Sequence, residues 1–129
     1  MFAEMTLAEL QLHVRKGLDP KAGNAANAVQ LKANLEEMAP EVEEAMNEIY
    51  GVTQLLRKNN DDREEAIKAI ARSGKDHVAK REATAIVEAE WNRDRIGLEA
   101  KKADLQEKYK AMFDIYETGK RMLARVEGK

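Results

Sequence analysis

Two histidines, one serine and a dense set of carboxylates are the residues of this 129-residue chain that could carry chemistry. A metal site would need paired histidines at helical spacing, or histidine clustered with carboxylates. His13 and His77 fall in separate predicted elements, so each reads as a surface or seam residue. Ser73 is followed by Gly74 and Lys75, which invites comparison with a phosphate-binding loop. That motif needs a glycine five residues before Gly74 and a hydroxyl residue after the lysine. Ala69 and Asp76 stand there instead, so Ser73-Gly74 reads as a helix interruption. The chain has no cysteine, which removes disulfides and thiolate ligands. The expectation is a non-enzymatic protein with no cofactor and no bound metal.

The carboxylates Glu37, Glu41, Glu44 and Glu48 recur at intervals of four, three and four, on one helix face. Di-metal helical proteins place acids this way, but they add Glu-x-x-His pairs that this chain lacks. The four form a candidate acidic face for docking onto a basic partner. A second set is cationic: Arg57, Lys58, Arg63, Lys68, Arg72, Lys75, Lys80 and Arg81. Such a cluster could neutralise phosphates, making these residues candidates for binding nucleic acid. Single-strand binders usually add stacking rings, and the nearest here is Trp91, outside the cluster.

These residues need elements to position them, and the composition says which. Charged residues make up 36% and aromatics only 5%, with two prolines and seven glycines. That profile points to long helices or coiled coil. Thr6-Leu7-Ala8-Glu9 has the spacing of a capping box, opening a short helix over 5–17 that Gly17 and Asp19-Pro20 stop. Ala28, Leu31, Leu35, Met38, Val42, Ala45, Ile49, Val52 and Leu56 then alternate in steps of three and four. This seam predicts a helix over 25–58, packed along its length on another helix and bent, but continuous, at Pro40. Asn59-Asn60-Asp61-Asp62 reads as the turn, because Asn and Asp tolerate left-handed backbone and cap helices. A longer helix follows over 61–127, with candidate breaks near 73–76 or at Gly97. Its seam is carried by Leu98, Leu105, Tyr109, Met112, Tyr116 and Leu123, with Gly119 occupying one slot.

The predicted fold is all-α, a single domain built as a long antiparallel helical hairpin or a three-helix bundle, with coiled-coil seams and a short N-terminal helix. The arm 61–127 is nearly twice the length of 25–58. Its excess would fold back near Gly97 or pair with another subunit, and the Ala-, Met- and Val-rich seams favour a homo-oligomer. Charge is uneven as well. Residues 36–65 hold ten acids and three bases, whereas 66–129 hold eleven acids and fifteen bases. Neither a signal peptide nor a membrane span is expected, which suggests a cytoplasmic protein or one assembled into a particle there.

Two stretches, Leu7-Ala8-Glu9-Leu10-Gln11 and Asn24-Ala25-Ala26-Asn27-Ala28-Val29, resemble the recombination mediators of T-even phages, the UvsY-type family. The length and the basic end, Glu127-Gly128-Lys129, are similar too. The resemblance implies a small phage-encoded oligomeric accessory that binds single-stranded DNA and helps load a recombinase. It carries over no individual functional residue. Three functions therefore stand at this stage. One is an oligomeric helical scaffold or adaptor acting on a protein partner. The others are a DNA-binding accessory of recombination or replication, and a small inhibitor that docks on a larger enzyme through its acidic helix.

Overall fold

The computed structural model describes residues 1–128; Lys129, the last residue of the basic end, lies outside the described residues. A 3-10 turn, Phe2–Glu4, precedes three helices: α1 (Leu7–Arg15), α2 (Asn24–Arg72) and α3 (His77–Val126). Packing divides the chain into two units. Met1–Asn47 with Gln106–Lys129 forms a three-helix unit, and Glu48–Leu105 forms a helical hairpin. The all-α fold expected from the composition is the fold observed.

α1 begins on the expected capping box. The Glu9 N–H donates to Thr6 Oγ1 and the Thr6 N–H to Glu9 Oε1, both at 3.2 Å. It ends at Gly17, whose φ of +76° is open to a residue without a Cβ. Asn27 then ties down the connection: its Nδ2 donates to the Asp19 carbonyl at 2.9 Å and its Oδ1 accepts from the Asp19 N–H at 3.1 Å.

Leu31, Leu35, Met38, Val42 and Ala45 from α2 are buried in the three-helix unit. They share its core with Phe2, Leu10 and Val14, and with Tyr109, Met112 and Ile115 from α3. Gly119 is buried there too. A Cβ on it would stand 2.5 Å from Leu35 Cδ2 and 3.3 Å from Val14 Cγ1. The empty slot in the heptad thus makes room for side chains of both α1 and α2. Asn34, fully buried, completes the unit. Its Nδ2 donates to the carbonyls of Val14 (2.9 Å) and Lys16 (2.8 Å), and its Oδ1 accepts from Gln30 Nε2 (2.9 Å). The last carbonyls of α1, which have no helical partner of their own, are satisfied by this one side chain.

The hairpin corrects the expected turn. α2 does not stop at Asn59–Asp62 but runs through Pro40 and on to Arg72. Asn59, Arg63, Ala66 and Ile70 continue the steps of three and four and are half-buried. An Asn or Asp inside a helix gives up only a few tenths of a kcal/mol relative to better formers, and here three of the four side chains are occupied. Asn59 Nδ2 reaches the Trp91 carbonyl at 3.3 Å, Asn60 Oδ1 accepts from Trp91 Nε1 at 2.8 Å, and Asp62 pairs with Lys58 at 2.9 Å. Asp61 and Asp62 therefore do not cap the start of a helix.

The chain reverses instead at 73–76, one of the two breaks considered. Ser73 Oγ donates to the Ile70 carbonyl at 2.7 Å, and Asp76 Oδ1 caps α3 by accepting from the Ala79 N–H at 2.8 Å. α3 passes Gly97 unbroken. With the turn here the arms hold 49 and 50 residues, so the excess length inferred from the earlier turn disappears.

Candidate functional site

Within the hairpin, the seam between α2 and α3 is polar at its middle. The Arg63 guanidinium pairs with Glu88 through Nε (3.0 and 3.1 Å) and Nη2 (2.9 Å), and lies 4.3 Å from the centre of the Trp91 ring. Arg95 also lies over that ring, at 5.0 Å. Its Nη atoms bond Glu99 and Asn92, while its buried Nε has no partner among the described residues. Two guanidinium groups and an acceptor for its N–H thus occupy Trp91, which leaves little of the ring for stacking a base. Beside this layer runs a groove of about 440 Å³ lined by Leu55, Lys58, Asn59, Arg93, Gly97 and Leu98. Near the turn lies a wider, apolar groove of about 650 Å³, floored by Ile67, Ile70 and Ala85 and rimmed by His77, Lys80 and Arg81.

The most informative property of the hairpin is what it fails to bury. Of the described residues 48–105, only Val52 is buried. Tyr50, Leu55, Val78, Ile86 and Ile96 are each about half exposed or more. Two helices alone cover one stripe of each other and leave the rest wet.

The structure redistributes the predicted site residues. Of the seam set, Leu31, Leu35, Met38, Val42, Val52, Tyr109 and Met112 are buried, while Ile49, Leu56, Leu98, Leu105, Tyr116 and Leu123 are half-covered. Ile115 and Asn34 belong to the same core and were not anticipated. Ile115 stands one step off the heptad row. Asn34 shows its role only once the end of α1 is placed over it.

The basic set does not form one cluster across a turn. Arg57 and Lys58 lie about 20 Å along α2 from Arg72. Lys58 is bonded to Asp62, which raises its pKa above the ordinary lysine value. Arg63 is held by Glu88, Lys68 stands 3.8 Å from Glu65, and Lys80 Nζ donates to the Ala71 carbonyl at 3.0 Å. Arg72, Lys75 and Arg81 form no ion pair among the described residues.

On the acidic face, Glu41 accepts from the Met1 amine and the Phe2 N–H, a bond that raises the amine's pKa. Glu37 lies 3.5 Å from Lys16 and 3.4 Å from His13. Half of the proposed docking face therefore anchors the N-terminal segment. Glu44 and Glu48 are exposed.

His13 is packed edge-on against Phe2 and meets the Asn34 carbonyl at 3.3 Å, while His77 is exposed at the start of α3. Among the described residues no group of three His, Cys, Asp or Glu could hold a metal ion, and no helix is long and apolar enough to cross a membrane. No protein-family model, no curated protein and no solved structure matches the chain.

Proposed function

We propose that this protein is a non-enzymatic, oligomeric helical scaffold or adaptor that works through protein–protein contacts made by its hairpin, residues 48–105. One observation carries the reading: the hairpin buries a single side chain of its own while holding out Tyr50, Leu55, Val78, Ile86 and Ile96. Large exposed apolar patches mark contact sites between proteins, and these exposures are what supports the reading. Light scattering on the full chain tests it. The expected mass is a defined multiple of 14.6 kDa, with slower amide exchange across 48–105 as assembly proceeds. A monomer at every concentration overturns the self-assembling scaffold.

A second reading, a phage-type accessory that binds single-stranded DNA, draws on Arg72, Lys75 and Arg81, which meet no carboxylate among the described residues. Anisotropy of a labelled oligonucleotide separates it from the first. Binding that collapses between about 50 and 200 mM salt, and is lost on changing these three residues to Glu, would put it ahead.

A further inference from the structure

Positive charge gathers at the turn of the hairpin, beside an apolar groove. Residues 66–81 hold five bases and one acid, in a chain with 22 bases and 24 acids overall. The acid, Asp76, is occupied in capping α3. Among the described residues Arg72, Lys75 and Arg81 are exposed and meet no carboxylate, and Lys80 bonds the Ala71 carbonyl. The groove, of about 650 Å³, is floored by Ile67, Ile70 and Ala71 of α2 and by Ala85 of α3. Lys80 and Arg81 stand on its rim, and no described carboxylate lines it. Glu64 and Glu88 lie toward the end away from the turn, and Glu88 is already held by Arg63. Glu82 stands about 100° further round α3 than Arg81, on the side turned from α2.

The apolar floor calls for an apolar occupant, and the unpaired cations call for an acidic one. Nucleic acid supplies the charge, but its bases would lie on isoleucine and alanine, with no aromatic side chain in the lining except His77. An amphipathic helix supplies both, seating an apolar stripe in the groove with acids along its flank. The same two helices already take a helix of this kind. In the three-helix unit Val14 of α1 and Leu35 of α2 both border Gly119 of α3, and α1 buries Leu10 and Val14, four residues apart.

We propose, resting on the adaptor reading above, that the groove beside the turn receives an acidic amphipathic helix of a partner protein. Apolar side chains one turn apart enter between Ile67 and Ala85. Carboxylates at the end of the occupant nearer the turn meet Arg81 and Lys75.

The probe is a labelled synthetic helix of about 14 residues, with leucines at spacings of three and four and glutamates on one flank. One control exchanges its glutamates for lysines, and another its leucines for alanines. Anisotropy titrations use the full chain. The glutamate–leucine probe should bind at least about 10-fold tighter than either control. Ala85→Glu, at an exposed position of the floor, should weaken it by about 10-fold or more with helicity unchanged. Lys75→Glu with Arg81→Glu should reverse the preference, so that the lysine–leucine probe binds best. That reversal decides alone if Ala85→Glu fails to fold. Equal binding of all three probes, or binding indifferent to these variants, overturns the groove while the self-assembling scaffold stands. An oligo-dT that displaces the probe, and is itself lost on Ala85→Glu, overturns it too, since nucleic acid is then the occupant. If Ala85→Glu splits an assembly seen by light scattering, a second copy fills the groove and the partner helix falls. A chain monomeric at every concentration that still prefers the acidic probe removes self-assembly and upholds the groove.

Discussion

The three-helix unit and the hairpin are built from the same two long helices, yet they end up with different interiors. Around residues 24–47 of α2 a third helix closes the bundle, and Leu10, Leu31, Met38 and Met112 are all but removed from water. Along 48–72 the described residues supply no third helix, and the seam turns to Asn59, Arg63, Trp91 and Arg95, all half-buried. The heptad phase does not change between the two; the number of helices around it does. A third helix is what converts a stripe into a core. Where it is missing, the seam tolerates polar side chains, and the outer faces become available to something else.

The largest test of that difference is to empty a seam position in each unit. Met38→Ala removes a side chain with no exposure at all, and about 2–5 kcal/mol of stability should go with it. Leu98→Ala, at a half-covered position in the hairpin, should lose about 1 kcal/mol. Urea unfolding followed by hydrogen exchange in each segment reads both. Equal losses would mean that the hairpin is as closed as the bundle, and the contrast would fail.

Glycine provides a test in which the two units should respond with opposite sign. In the bundle, a Cβ at Gly119 meets Leu35 Cδ2 at 2.5 Å, and Leu35 is itself buried. Gly119→Ala should therefore destabilise by about 1–3 kcal/mol, as overpacking does. Nothing lies within 4 Å of a Cβ at Gly97, and Gly97→Ala should stabilise by up to about 1 kcal/mol through helix propensity. Thermal melts of the two variants suffice.

The same contrast governs how much could be read from the residues. The fold class, the capping box at Thr6 and the seam from Leu31 to Val52 follow from local pattern, and local pattern is what helices obey. The turn was misplaced because Asn59–Asp62 was weighed by residue type, although the three-four phase continues through Asn59, Arg63, Ala66 and Ile70. The phase was the better signal, since helix propensity differences of a few tenths of a kcal/mol yield to a continuous contact. Asn34 and Ile115 were illegible for another reason. Their burial depends on where α1 lands, and no spacing within α2 or α3 encodes that. Neither could the capture of Glu37 and Glu41 by the N-terminal segment be seen, because it joins residues far apart in sequence. The exposure of Val78, Ile86 and Ile96 depends likewise on the position of α2, which no spacing within α3 encodes.

The smallest expected effect lies in the polar layer itself. Arg63 and Glu88 are about one-third exposed, at 33% and 37%, so water screens their attraction and the pair should contribute under about 1 kcal/mol. Glu88→Gln is expected to lower stability by less than that amount, and the loss should shrink as salt rises. Trp91 is the only tryptophan, and Arg63 lies 4.3 Å from its ring centre. Its fluorescence therefore reports this layer directly. Arg63→Ala should shift the emission to longer wavelength as water reaches the ring, whereas Glu88→Gln should leave it nearly in place. A loss above about 3 kcal/mol from Glu88→Gln would be the behaviour of a buried ion pair left with one member. The hairpin would then have to possess the covered interior that its half-exposed seam argues against.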